Sequence, residues 1–193
     1  MISPPTDRRT QILDAALDCF LVRGYAATSI ADIRAGSGAS TGSIYHFFAN
    51  KGALAAALVQ RAVAGWSTAS SNISASTPAE TAVKASVSGL VRWGLAYPAE
   101  RRLIDEMRTL ALTDPTLSET AALFSRGTAA AANMYATYVQ RGEVRPLAWP
   151  VAHALMLGPA YDFLRHSDAE NAPPLAAELL ADAAWDAVRS PQP

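Results

Sequence analysis

The stretch "GSGASTGSIYHFFANKGAL", Gly36 to Leu54, decides how the rest of this chain is read. Seven of its first eight residues are Gly, Ser or Thr, four ring-bearing residues follow from Tyr45 to Phe48, and Lys51 comes soon after. A phosphate-cradling loop would need G-x-x-x-x-G-K-[ST], and no lysine directly follows any of these glycines. No hydrophobic strand precedes them, so the dinucleotide fingerprint fails as well. The alternative is a short helix. Ser40 is an N-cap residue, Thr41, Gly42 and Ser43 form a small polar first turn, and Ile44 with Phe47 is expected to anchor it inward.

Working outward, the flanking segments are helical too. A first helix is expected after an N-cap at Thr6, with Ile12, Leu13, Ala16, Leu17, Phe20 and Leu21 inward and a stop at Gly24. Cys19 lies beside that stripe and reads as a small buried hydrophobe. A second helix opens at Thr28 or Ser29, the latter forming a capping box with Asp32, and carries Ile30 and Ile33 inward. Asn50 caps a fourth helix running towards Trp66. A polar stretch, Ser67 to Thr77, is expected as a loop. Pro78, Asp114-Pro115 and Trp149-Pro150 then mark later helix starts. A last helix from Leu175 to Val188 is expected to turn Leu175, Leu179, Leu180, Ala184 and Val188 inward. The reading is an all-α chain of about nine helices, with a three-helix N-terminal domain at 1–50 and a larger helical domain at 51–193.

Composition narrows the function classes. The 193-residue chain has a net charge of −1, and residues 1–51 alone sum to +1 from five basic and four acidic groups. Bulk electrostatic coating of nucleic acid is therefore excluded, although a local footprint is not. A lone cysteine permits no internal disulfide, and no apolar run or leader is visible, so a cytoplasmic location with no membrane association is expected. The histidines at 46, 153 and 166 are scattered, and Asp105 and Glu106, being adjacent, point about 100° apart on a helix. No metal site, cofactor site or catalytic constellation emerges, and an enzyme is not expected.

What remains is helix-turn-helix chemistry. A recognition helix needs short polar side chains at its N-terminus so that its backbone enters the major groove. Thr41, Gly42 and Ser43 meet that need, and Gly42 does so at a helix-propensity cost of roughly 0.8–1.0 kcal/mol relative to alanine. Tyr45 and His46 project sideways, where a phenol and an imidazole donate to phosphate oxygens. Lys51, near the next helix N-terminus, adds a charge for a further phosphate.

Thr10 to Leu54 resembles the DNA-binding domain of the TetR family of transcriptional regulators. The matching elements are the aliphatic first helix ending in Gly-Tyr, "TSIADI" opening the second, "STGSIYHFF" as recognition helix, and "NKGAL" opening the fourth. The resemblance implies Thr28, Thr41, Gly42, Tyr45, His46 and Lys51 at the DNA, with Ser40 and Ser43 as supporting contacts or caps. Two departures stand out. The turn before the recognition helix reads "AGSGAS", with Gly36 and Ala39, where the family has an alanine-rich turn ahead of a valine. Gly52 follows Lys51 where the family typically has Glu, which removes a capping carboxylate.

For the second domain the resemblance implies an inducer pocket and a dimer interface. Candidate pocket residues are Trp93, Met107, Phe124, Met134, Tyr138, His153 and Met156, an apolar and aromatic set that suits a hydrophobic or aromatic inducer. Candidate dimer residues are Val151, Leu155, Gly158, Tyr161 and Leu164 on the eighth helix, with Leu175 and Leu179 on the ninth. The expected function is a ligand-responsive repressor, binding a near-palindromic double-stranded DNA operator as a homodimer. The competing reading is a helical small-molecule carrier or enzyme whose N-terminal module serves protein interaction.

Overall fold

The computed structural model describes residues 7–69, 73, 74 and 76–191. Among them it is all-helical, apart from turns and one isolated bridge between Val144 and Arg189. The helices are α1 (Arg8–Ala27), α2 (Ile30–Ser37), α3 (Thr41–Phe47), α4 (Lys51–Ala69), α5 (Ala79–Ala96), α6 (Pro98–Leu110), α7 (Ser118–Gln140), α8 (Trp149–His166) and α9 (Ala176–Val188). A 3-10 turn, Pro115–Leu117, stands between α6 and α7. Asp114 and Pro115 thus open this turn rather than the long helix itself, with the Asp114 carboxylate accepting from the Thr116 N–H at 2.9 Å. The expected cap at Thr6 lies outside the described residues. The stretch expected as a loop from Ser67 is helical through Ala69, and residues 70–72 and 75 also lie outside the described set.

The chain forms two compact units. The first takes Met1–Ala62 together with Ala99–Ser125. Packing therefore adds part of α4, α6, the 3-10 turn and the start of α7 to the three N-terminal helices. Its core brings Ile12, Leu17, Phe20 and Tyr25 of α1 together with Ile33, Ile44, Leu54 and Leu58, and completes them with Leu103, Met107 and Leu117. A helix as short as α3 cannot stand alone and is held by tertiary packing. Its anchors are Ile44 and Phe48. Phe48 is 4% exposed, whereas Phe47, expected inward, is 38% exposed. The i, i+4 pair rather than the i, i+3 pair meets the core because Phe48 is the extended residue that closes the helix, its N–H on the Ile44 carbonyl at 2.9 Å.

The second unit takes Val63–Pro98 and Arg126–Pro193, with α5, α8 and α9 packed on one another. Where α5 packs on α9, Val83, Val87, Leu90 and Val91 are buried on α5, and the buried residues of α9 are Ala177, Ala181, Ala184 and Val188. Alanine on a contact face lets helix backbones approach closely. That choice turns the α9 leucines the other way, contrary to the sequence expectation: Leu175 is 68% and Leu179 64% exposed, and Leu180 is half-buried. Ion pairs rim the α5–α9 contact, with Lys84 reaching both Glu80 at 2.7 Å and Asp182 at 2.9 Å, and Arg92 reaching Glu178. Pro78 supplies no side-chain cap to α5, and the Glu143 carboxylate takes that role by accepting from the Ala79 N–H at 2.6 Å.

Candidate nucleic-acid interface and ligand cavity

The helix-turn-helix is assembled from local caps. Ser29 and Asp32 form the capping box of α2: the Ser29 hydroxyl accepts from the Asp32 N–H at 3.2 Å, and the Asp32 carboxylate accepts from the Ser29 N–H at 2.8 Å. Hydrogen bonds from the Ser29 hydroxyl and backbone hold the Asp32 carboxyl below the ordinary aspartate range, with Arg23 at 2.7 Å contributing further. Gly38 ends α2 in the left-handed conformation at φ 62°, where a glycine carries no side-chain penalty. Ser40 then caps α3, its hydroxyl accepting from the Ser43 N–H at 3.0 Å. Asn50 caps α4, its side-chain oxygen accepting from the Ala53 N–H at 2.9 Å.

Around these caps Thr41, Gly42, Tyr45 and His46 are all exposed, and Ser43 is half-buried. Tyr45 keeps 51% of its surface in solvent. A Cβ added at Gly42 would meet nothing nearer than the Ser40 hydroxyl, at 3.9 Å, so no internal contact requires glycine there. His46 stacks edge-on against Phe47, with centroids 5.0 Å apart. Polar tip and ring-bearing flank thus share one outward face, with Ile44 and Phe48 on the inward one.

Two of the residues expected at the DNA make hydrogen bonds inside the unit. Thr28 is 2% exposed, and its hydroxyl lies 2.9 Å from the Gly24 carbonyl and 3.1 Å from that of Cys19, closing the end of α1. Lys51 is half-buried, and its ammonium donates to three carbonyls: Tyr25 at 2.7 Å, Thr28 at 2.9 Å and Ala26 at 3.2 Å. It also stands 4.4 Å from the centroid of the Tyr25 ring. An ammonium has three N–H groups, and here each has an acceptor.

Tyr25 is the centre of this arrangement. Gly24 breaks α1 with φ 77°, and the N–H of Tyr25 that this kink turns out is taken by the Glu106 carboxylate of α6 at 3.2 Å. The Tyr25 hydroxyl pairs with that of Thr116 at 2.9 Å, while burial pushes the phenol's pKa up. Gly52, which in sequence reads only as a missing carboxylate, makes room for the same 3-10 turn. A Cβ at position 52 would stand closer than 3.0 Å to the Thr116 carbonyl oxygen, a separation real Cβ atoms do not show. None of this carried a local signal, because Glu106 and Thr116 lie far along the chain from Tyr25.

The second unit contains a cavity of about 170 Å³. Of the candidate pocket residues, Met134, Tyr138 and Met156 line it. Trp93 is buried on α5 outside this lining, and His153 of α8 sits between the rings of Trp149 and Tyr161, at 5.5 and 6.2 Å. Met107 and Phe124 belong to the core of the first unit, where the Arg108 guanidinium lies 4.9 Å from the Phe124 centroid. Trp66, Tyr135, Trp149, Val87 and Leu157 line the cavity without having been singled out from sequence. The two tryptophans read there only as the end of one helix and the start of another. Of the candidate dimer residues, Val151, Leu155, Leu175 and Leu179 are exposed, Gly158 and Tyr161 are half-buried, and Leu164 is buried.

Residues 12–58 match the family of bacterial regulatory proteins, tetR family. A 58-residue stretch is 41% identical to the HTH-type transcriptional repressor KstR2 of Rhodococcus jostii (strain RHA1), spanning 26% of this chain and 28% of that repressor's length. Over 95% of the chain, the structure is similar to a TetR family transcription regulator from Marinobacter aquaeolei VT8, with a TM-score of 0.76, 22% identity and 96% of that protein covered. It is also similar to the ketosteroid transcriptional regulator KstR2 of Mycobacterium tuberculosis, with a TM-score of 0.65 and 18% identity over 97% of this chain and 98% of that one. The whole chain therefore has the TetR fold, an N-terminal helix-turn-helix followed by a larger helical region. Among the described residues, no helix is long and apolar enough to cross a membrane.

Proposed function

We propose that this protein is a ligand-responsive transcriptional repressor that binds a near-palindromic DNA operator as a homodimer. The observation that carries the reading is the outward face of α3, where Thr41, Gly42, Tyr45 and His46 stand free on a capped helix anchored by Ile44 and Phe48. Thr41 and the Gly42 backbone address base edges, Tyr45 and His46 donate to phosphates, and Ser40 and Ser43 fix the first turn. Thr28 and Lys51 hold the frame that presents this helix.

A recognition helix of two turns has too few contacts to read a specific site alone, and two copies read half-sites about 34–36 Å apart. The exposed Val151, Leu155, Leu175 and Leu179 are the apolar side chains offered to a second copy. The cavity of the second unit takes a small hydrophobic or aromatic inducer. By favouring a dimer whose recognition helices no longer fit the half-site spacing, that inducer releases the operator. The name of the Rhodococcus relative supports repression as the direction.

The test is a gel-shift assay with the DNA flanking the protein's own coding region. Tyr45→Ala, which loses a phosphate hydrogen bond, and Thr41→Ala, which loses a base contact, should each weaken binding about tenfold, with the helical circular dichroism signal unchanged. Unaltered affinity in both variants would overturn the assignment of this face to DNA.

A further inference from the structure

Two side chains that line the cavity of the second unit carry hydrogen-bond donors that nothing among the described residues answers. Tyr138 is 3% exposed, and its hydroxyl has no partner among the described residues. The indole N–H of Trp66 is likewise shielded and unpaired. Both side chains line the cavity. The contrast with Tyr135 on the same wall is instructive, because its hydroxyl is satisfied by the Arg145 carbonyl at 2.8 Å. Buried polar groups in folded proteins are overwhelmingly paired, so an orphan beside a cavity points to what fills it. Burial also pushes the Tyr138 phenol's pKa up, which keeps its proton in place for donation.

The remaining wall fixes the rest of the ligand's chemistry. It is mostly apolar, with Val83, Val87, Met134, Met156 and Leu157, has the Ser86 hydroxyl as a further polar group, and carries no Lys, Arg, Asp or Glu. A charged ligand would be stripped of water here with no counter-charge in the lining to meet it. Size is bounded as well. A dry engineered cavity of roughly 150 Å³ holds benzene, so about 170 Å³ suits one or two rings.

We infer that this cavity selects an uncharged, one- or two-ring molecule whose carbonyl or hydroxyl oxygen accepts a hydrogen bond from Tyr138, with the Trp66 N–H as a second donor to the ligand. The inference rests on the reading of this cavity as the effector site and gives that effector its chemical class. Tyr138 supplies orientation, and the methionines supply a wall that adapts to ring shape.

Titration calorimetry on the full chain tests it with three probes of similar shape: 1-tetralone, which has a carbonyl; tetralin, which has no acceptor; and 1-naphthoate, which is anionic. Tetralone should bind about tenfold more tightly than tetralin, and naphthoate should not bind at neutral pH. Tyr138→Phe, which removes only the unpaired oxygen and leaves the ring in place, should bring tetralone to the affinity of tetralin without lowering the melting temperature. Equal binding of tetralone and tetralin, naphthoate binding as well as tetralone, or an unchanged ratio in Tyr138→Phe would overturn the ligand class while leaving the cavity a binding site. Binding of none of the three would overturn the effector-site reading along with it. The gel-shift assay on the ligand-free protein stands apart from all of these outcomes.

Discussion

Replacing Gly52 by alanine sets two opposing effects against each other at one carbon atom. In an unconstrained helix interior the change favours folding by about 0.8–1.0 kcal/mol, because glycine loses the most backbone freedom. At position 52 the new Cβ falls closer than 3.0 Å to the carbonyl oxygen of Thr116, and 3.1 Å from the Asn50 side-chain oxygen that caps α4. The carbonyl cannot simply yield. It belongs to a 3-10 turn fixed by Pro115, by the Asp114 cap and by the hydroxyl pair between Thr116 and Tyr25. Forcing such a contact onto backbone falls in the upper part of the range for overpacking, about 2–3 kcal/mol, so Gly52→Ala should be destabilised by about 1–2 kcal/mol net. For a chain of this length that lowers the melting temperature by roughly 2–8 °C. Gly127→Ala is the matched control, because Gly127 lies within α7 and a Cβ there meets nothing within 4 Å. It should gain about 0.5–1 kcal/mol. Thermal and urea unfolding followed by circular dichroism read both variants. Should Gly52→Ala melt at or above the parent while Gly127→Ala rises as expected, the close approach of the 3-10 turn is not a real constraint.

Lys51→Ala removes three hydrogen bonds from a charged donor and should lower stability by about 1.5–3 kcal/mol while leaving the salt dependence of operator binding unchanged. A salt slope smaller by about one with unaltered stability would instead make Lys51 a phosphate contact. Asp32, whose carboxyl is held below its ordinary value by Ser29, contributes stability that is complete above about pH 4 and lost as pH falls through the lower folded value. The stability difference between the parent and Asp32→Asn should therefore close on acidification below about pH 4, and a difference constant from neutral to strongly acid pH would refute that origin. Leu179→Glu places a charge on the exposed apolar face of α9 and should shift the protein towards monomer in sedimentation analysis, with unfolding little changed. A dimer of parental strength would remove that face from the interface.

The helix-turn-helix was legible because its determinants are short-range. Ser29 with Asp32, Ser40 with Ser43, and Asn50 with Ala53 each act within three residues, so sequence order and spatial contact coincide. Helical spacing ranks Phe47 inward ahead of Phe48, and the closing geometry of α3 reverses that order. In α9 the leucine and alanine stripes are both valid helical faces. Packing against α5 selected the alanines, a tertiary choice that overrides hydrophobicity. The division of labour at α6 was hidden for a similar reason: Leu103 and Met107 look like any apolar pair until they are seen completing the core beneath α1 and α4. Met134, Tyr138 and Met156 were picked out as wall residues by character alone, whereas Trp66 and Trp149 were passed over because each sat beside a boundary signal. The unpaired state of Tyr138 has no sequence signature.

The amide of Tyr25 offers a spectroscopic consequence of the kink at Gly24. Its proton is bound by a carboxylate from α6 rather than by the helix it belongs to. That proton is protected from solvent exchange only while Glu106 is seated, and its chemical shift reports the distance to that carboxylate. A single labelled residue at position 25 thus becomes an internal gauge of whether α6 is docked, readable by nuclear magnetic resonance in the free protein and in every liganded state.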